Sequence, residues 1–286
     1  MSQESQPLVS IVIPCYNHEA FVQDCIRSVI DQTYQNIELI IIDDGSKDNS
    51  VAKIQELLDQ CKACFTRFEF RHRPNVGLSA TLNEALEWCR GEYFSVIASD
   101  DMMLVDKTEI QVKYLIENDN CIAVFGGYKL IDNNNVIIRE SLGCIKAYTF
   151  NEIFLHEHDL PAPTQLINTK ALNEVGGYCG NMIIEDWYMW LKLSKIGEIH
   201  YINHYFSLYR DHFDNVSKKN KIMNKGRHQV INEFKEDFLY NKANFEVKWI
   251  YLSELKVSKN FTLLKEVCYI FLSHPFLTLK KIFNKF

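Results

Sequence analysis

The chain lacks any stretch that could cross a bilayer as a helix. In its C-terminal part the longest apolar run, Val267 to Leu272, is six residues, whereas a span needs about 20. A basic, apolar leader is missing as well, because MSQESQPLVS is polar up to its first strand-like residues. No GxGxxG fingerprint follows the first apolar run; PCYNHEA stands there instead, which speaks against a dinucleotide-dependent oxidoreductase. Positive charge is not in excess either. With 31 Lys and Arg against 37 Asp and Glu the formal charge is −6, which argues against general nucleic-acid binding. Nine cysteines are present at irregular spacings. Cys61 and Cys64 form one CxxC, but no second pair of Cys or His follows at zinc-ligand spacing, so the pair reads as structural. The missing leader and scattered thiols lead us to expect a reduced, cytoplasmic compartment without disulfides. There is no internal repeat and no long linker before about residue 218.

What the chain does contain is a series of short, β-branched runs that end in polar or acidic residues. Its 286 residues, 47% of them hydrophobic, suffice for one large core or for a main domain with an appendage. Leu8 to Ile13 reads as a buried strand ended by Pro14, and Glu19 to Ile30 as an amphipathic helix. Ile37 to Ile42 is a second strand that finishes in Asp43 and Asp44, with Asp48 or Ser46 available to cap a helix over about 51–58. A weaker, basic strand over Phe65 to Arg71, the breaker RPNVG and a helix from Leu78 to Cys89 follow, and then Tyr93 to Asp101, a strand ending in Asp100 and Asp101. Strands alternating with helices imply an α/β fold with a mainly parallel, doubly wound sheet. Ligands sit beyond the carboxyl ends of such strands. Three strand ends therefore bring Tyr16 and Asn17, Asp43 and Asp44, and Asp100 and Asp101 to one crevice. Adjacent carboxylates repel unless a cation or a hydroxyl-bearing ligand takes up the charge, and hard oxygen ligands suit Mg2+ or Mn2+, with a metal-bound diphosphate as natural partner. The competing reading makes Asp100 a helix cap and Asp101 a solvated acid.

After a helix from Asp106 to Glu117 the parallel pattern stops. AVFGGYKLI and NVIIRE flank Asp132 to Asn135 as a hairpin, and Tyr148 to Leu155 is a short helix. HEHDLPAPT reads as a solvated polar loop, because His156 and His158 lack a third close ligand. Beyond Gly176 and Gly177, Glu185 and Asp186 open a helix carrying Trp187 and Trp190. Acids at a helix start are favourable in themselves, and a carboxylate held there is also a well-placed base. Glu198 to Ile202 and Tyr205 to Tyr209 read as two short strands leading to Arg210 and His212, which suit a diphosphate leaving group unless Arg210 merely pairs with Asp211 or Asp214.

In order along residues 8–217, VSIVIPCYN, ELIIIDDGSKDNS, RPNVGLSATLNEAL, GEYFSVIASDD, VGGY, IEDWYMWLKL and YRDHFDNVS resemble the family 2 glycosyltransferases, inverting enzymes of the GT-A fold that build bacterial surface polysaccharides such as O-antigen and capsule. The resemblance implies a catalytic domain over 1–217, with a nucleotide-binding half at 8–101 and an acceptor half at 102–217. It implies that Pro14, Tyr16, Asn17, Asp43 and Asp44 line the nucleotide pocket, Asp43 facing a uracil imide, with Asn75 and Gly77 at its border. Asp100 would sit by the ribose and Asp101 on the metal, Mg2+ or Mn2+. Asp186 would be the catalytic base with Glu185 beside it, while His212 and Arg210 would meet metal and diphosphate. Many relatives carry a further Asp where this chain has Ala98. The implied activity is metal-dependent transfer of a hexose or N-acetylhexosamine from a UDP-sugar to a glycan or lipid-diphosphate-linked acceptor, with inversion to a β-linkage. The alternative is a catalytically degenerate sugar-nucleotide-binding assembly partner, against which the intact Asp101 and Asp186 speak.

Residues 218–286 read as a helical, basic extension. From Asn241 onward eight lysines face three glutamates, a local +5 that leaves −11 for the rest. Leu263, Leu264, Val267, Cys268 and Phe271 make one helical stripe and Phe276, Leu279, Ile282, Phe283 and Phe286 another. Such stripes flanked by lysine suit peripheral attachment to the anionic inner face of the cytoplasmic membrane, at about 1 kcal/mol per basic residue. Helices packing on the catalytic domain, or on a second subunit of a homo-oligomer, are the competing reading.

Overall fold

The computed structural model describes residues 6–212, 215 and 218–257, together with 271, 272, 275, 277, 278 and 281. Four strands build the first half: β1 (Val9–Cys15), β2 (Ile37–Asp43), β3 (Arg67–His72) and β4 (Tyr93–Val96). They pair in parallel in the order β3-β2-β1-β4. Side chains alternate across a strand, and the sequence uses both faces. Val9, Ile11 and Ile13 of β1 with Leu39 and Ile41 of β2 enter one core, shared with Val22, Cys25 and Ile26 of α1 (Val22–Ile30). Val12, Ile40 and Ile42 enter the other, shared with Leu82 and Ala85 of α4 (Leu78–Trp88). Each of these side chains is at most 3% exposed, and burying one contributes about 1.5–3 kcal/mol. Because parallel strands need helical crossovers, this double burial explains why the runs are apolar throughout rather than alternating. Two short helices, α2 (Ser50–Gln55) and α3 (Leu58–Cys64), stand where one was expected, and the CxxC lies on the second of them. Cys61 is buried, Cys64 is exposed, and the eight described cysteines are free thiols.

The second half is mixed. β5 (Met102–Met103), β6 (Cys121–Ile131), β7 (Ile137–Ser141), β8 (Lys146–Tyr148), β9 (Leu166–Asn168) and β10 (Glu198–Arg210) continue the sheet as β4-β9-β6-β10-β5, with β7 on β6 and β8 on β10. β9 is antiparallel to both β4 and β6, and β6 runs parallel to β10. The expected hairpin is present, closed by Asp132, whose Oδ1 accepts from the Asn134 and Val136 N–H groups at 2.8 and 2.9 Å. Two expectations fail here. The carboxylate strand ends at Val96, since the last ladder bond runs from Ile97 N to Val12 O and the chain then turns, with Asp101 N donating to Ala98 O at 2.9 Å. The two strands expected over 198–209 are one, β10, which keeps pairing with β6 through register shifts between Tyr201 and Ser207.

The helices of this half are α5 (Lys107–Glu117), α6 (Phe150–Phe154), α7 (Thr169–Glu174) and α8 (Glu185–Leu193). Then come α9 (Asn220–Asn232) and α10 (Tyr240–Val257). Val230 and Ile231 of α9 with Ala243 and Val247 of α10 join the core that holds Trp187 and Trp190, so this part of the extension packs back on the second half. Of the two proposed membrane-facing stripes, Leu263, Leu264, Val267, Cys268, Phe276, Leu279, Ile282, Phe283 and Phe286 lie outside the described residues. Among the described residues no helix is long and apolar enough to cross a membrane.

Candidate active site

Where β1, β2 and β4 end, a cavity of about 850 Å³ opens. Of the expected nucleotide residues Pro14, Tyr16, Asn17, Asp44, Asn75, Gly77 and Asp100 line it. Asp43 does not. As the last residue of β2 it is 0% exposed beneath the floor, where its carboxylate accepts from Ser46 N at 2.9 Å and Ser46 Oγ at 2.5 Å and meets His72 Nδ1 at 2.8 Å. Asp44, one residue on, reaches the wall. It accepts from Val76 N at 2.8 Å and Gly77 N at 2.9 Å and pairs with Arg73, so it shapes the RPNVG loop. That loop approaches the DDGS turn so closely that a Cβ on Gly45, whose φ is +77°, would lie 2.6 Å from Asn75 N. Asn17, at φ +55°, ties the first loop to the same turn through its Oδ1 and Lys47 N at 2.7 Å.

At the deep end of the cavity Asp100 faces two imidazoles. His212 Nε2 lies 2.8 Å and His18 Nε2 3.7 Å from Asp100 Oδ2, and the three residues offer ligand atoms within 4.8 Å of one another. Ser99 Oγ, 2.7 Å from His18 Nδ1, turns the other ring nitrogen toward Asp100. Two imidazoles and a carboxylate are a mixed N/O donor set, which fits Mn2+ better than Mg2+, whose preference is for oxygen alone. His18 was not foreseen, although its place in the first strand-end loop was available as a signal.

The paired aspartates stand in different surroundings. The turn over 98–101 aims Asp100 at the imidazoles and Asp101 at β10, where its Oδ1 accepts from Arg210 N at 2.8 Å. Asp101 is 2% exposed, and burial followed by the neighbouring Asp100 raises its proton affinity well above the usual carboxylate range. Arg210 departs from expectation too. It is 0% exposed, and its guanidinium donates to Asp100 O at 2.8 Å, Asp132 O at 2.7 Å and Asn135 Oδ1 at 2.7 Å, with Phe21 4.5 Å away as a cation–π partner. With every guanidinium nitrogen engaged it braces the site and offers no face to a diphosphate.

A second cavity of about 480 Å³ adjoins the first, sharing Pro14, Leu78, Ala98, Asp101 and Tyr209 as walls. Glu185 and Asp186 line it from the start of α8. Burial, then the charge of Asp186, pushes the Glu185 carboxyl up to about 8; burial likewise raises Asp186, against the hydrogen bond from Trp187 N at 2.6 Å. The two carboxyls thus titrate together, with Glu185 holding its proton well above the ordinary carboxyl range. His156 and His158 line the same cavity and are not solvated as expected, because their rings stack on each other, 5.3 Å apart, and pack against Trp187 and Trp190 respectively. One further residue escaped the sequence: Asn83 of α4 accepts from Tyr178 N at 2.8 Å and donates to Tyr178 O at 2.7 Å, pinning the VGGY turn to the first half.

The glycosyl transferase family 2 profile matches residues 10–176. The chain is 30% identical over 232 residues to the Escherichia coli UDP-Glc:alpha-D-GlcNAc-diphosphoundecaprenol beta-1,3-glucosyltransferase WfgD, covering 80% of this chain and 87% of that enzyme. It is 31% identical over 219 residues to an uncharacterized glycosyltransferase of Rickettsia felis, covering 74% of this chain and 36% of that one. A Rickettsia conorii relative matches similarly, so the chain spans about a third of the length of these rickettsial proteins. Among solved structures, S. aureus TarS in complex with UDP-GlcNAc aligns at TM-score 0.68 and 14% identity over 93% of this chain and 81% of that one. The Pyrobaculum calidifontis mannosyltransferase PcManGT with GDP-Man and Mn2+ aligns at 0.62 and 14% over 97% and 84%. At such identities the likeness speaks for the fold, which is GT-A. Profile, relatives and fold agree that the chain belongs to glycosyl transferase family 2.

Proposed function

We propose that the chain is an inverting glycosyltransferase that moves a hexose or N-acetylhexosamine from a UDP-sugar onto a glycan or a lipid-diphosphate-linked sugar, forming a β-linkage in O-antigen or capsule-type polysaccharide assembly. One observation carries this reading: the cavity holding His18, Asp100 and His212 opens through shared walls into the cavity holding Glu185 and Asp186. In this reading a charge-neutralising group stands beside a base, as transfer from a sugar nucleotide requires. The nucleotide would lie against Pro14, Tyr16 and Asn75, with Asp44 taking the role expected of Asp43 at the uracil imide. A divalent cation held by Asp100, His212 and His18 would supply charge neutralisation to the departing diphosphate. Asp186 removes the proton of the attacking acceptor hydroxyl, and Glu185 keeps a proton and so limits the repulsion beside it. Attack from the side opposite the leaving group needs one base and no protein nucleophile, which gives inversion. The named activity of the E. coli relative supports a lipid-diphosphate-linked acceptor. The lysine-rich end of the chain supports peripheral attachment at the inner membrane face, where such an acceptor is held.

The test is UDP release from a panel of UDP-sugars, with Mn2+ and Mg2+ compared, in the presence of an α-GlcNAc-diphosphate carrying a lipid-like tail. We expect acceptor-stimulated release that is faster with Mn2+ and a β-linked product by NMR. Stimulated release that persists in excess chelator would remove the metal assignment, and an α-linked product would remove inversion.

A further inference from the structure

The second cavity contains more polar capacity than a base needs. His156 Nε2 and both ring nitrogens of His158 are buried without a hydrogen-bond partner, although buried polar groups are ordinarily paired and leaving one unpaired costs about 1–3 kcal/mol. His156 also sits at φ +57°, just past the end of α6, a left-handed position where glycine is the ordinary choice and a β-carbon costs about 1–2 kcal/mol. Two unfavourable features thus coincide in one loop, which points to function. The surroundings define what would satisfy it. The His156 ring lies 4.1 Å from Trp187, and His158 meets the Trp190 ring at 6.0 Å and 83°. Pro161 and Pro163 complete an apolar wall, and Arg227, which also lines the cavity, has its charge matched by Glu254 at 2.5 and 3.1 Å. Burial holds both imidazoles neutral, His156 down at about 3 and His158 at about 4. A neutral imidazole carries one donor and one acceptor, as a sugar hydroxyl does, and the buried Trp187 and Trp190 behind the imidazoles fix their orientation. A cation in the same place would weaken the base next to it.

We infer that His156 and His158 are the seat of the acceptor's terminal pyranose, hydrogen-bonding its hydroxyls while the Trp187 and Trp190 rings behind them hold the imidazoles in place, and so fix which hydroxyl reaches Asp186. This rests on the transferase reading and adds to it the side chains that select the acceptor. His156→Gly relieves the backbone strain while removing the ring, so its thermal stability should be equal or higher; His158→Phe keeps the stacking and removes both nitrogens. Each should raise the Kd of the α-GlcNAc-diphosphate lipid analogue about tenfold, measured by calorimetry without donor, and raise its KM to match. UDP affinity, measured by calorimetry, should not change. His156→Asn, which tolerates a positive φ, and His158→Gln should recover most of the affinity. If wild type transfers sugar and neither variant moves Kd or KM, the seat is wrong while the transferase reading stands. If wild type binds the analogue through these residues but never transfers to it, the reading of function falls and the seat survives. No binding of the analogue by wild type overturns the seat.

Discussion

Asp100 and Asp101 stand where β4 leaves the sheet, and Glu185 and Asp186 where α8 begins, so two adjacent-carboxylate pairs border one crevice. The first pair is surrounded by partners: imidazoles of His18 and His212 for Asp100, and the Arg210 backbone N–H for Asp101. The second has no cation among the groups that set its proton affinity; burial and mutual repulsion act on it, and only backbone hydrogen bonds oppose them. The same two-acid pattern therefore meets two different electrostatic surroundings, which is why the proposed function gives a cation to the first pair and a proton to the second. The difference lies in what the rest of the chain brings to each pair.

The sharpest way to break this comparison is to remove a member of the first pair. Asp100→Ala should abolish detectable turnover and weaken UDP binding in Mn2+, while Asp101→Asn should bind UDP nearly as wild type; calorimetry in Mn2+ separates them. Turnover retained by Asp100→Ala would return the metal role to Asp101. On the second pair, Asp186→Asn should lower kcat on the order of a hundredfold or more with donor affinity unchanged. Glu185→Gln is its control, and if Glu185→Gln alone is dead, the base has been assigned to the wrong carboxylate. Arg210→Leu tests whether support of the first pair is structural. With three acceptors abandoned it should cost about 3 kcal/mol in urea unfolding, and a variant as stable as wild type but deficient in UDP binding would restore the diphosphate role. The smallest effect concerns pH. Because folding raises the Glu185 carboxyl from 4.5 to about 8, the folded state binds the extra proton; stability is fully present below the lower value and is lost as pH rises through about 8. Thermal unfolding should show this decline between those limits, and Glu185→Gln should flatten it.

How the chain was legible, and where it was not, follows from periodicity. The parallel half could be read because strands buried on both faces leave continuous β-branched runs with abrupt polar ends. Of the acids at those ends, Asp44, Asp100 and Asp101 line the crevice while Asp43 is turned beneath it, and Asp100 meets the two imidazoles while Asp101 meets β10. The cause is shared: side chains alternate across a strand, so which of two neighbours meets the crevice depends on the residue at which pairing stops, and sequence does not fix that boundary. The Arg210 role was hidden because its partners Asp132 and Asn135 come from a hairpin turn some 75 residues earlier in the chain. His156 and His158 looked solvated because their loop is polar by composition, while the wall that covers them, Trp187 and Trp190, comes from a later helix.

The Asn83 amide, which grips the Tyr178 backbone through both its donor and its acceptor, has a consequence for how variation in this chain would be tolerated. Aspartate keeps the acceptor and loses the donor, leucine keeps the shape and loses both, and glutamine moves the group by a methylene. No substitution reproduces a two-way backbone clasp at that reach. In a saturation screen position 83 would therefore score like a residue of the site, because its one side chain clasps the VGGY turn to α4 although it lines neither cavity.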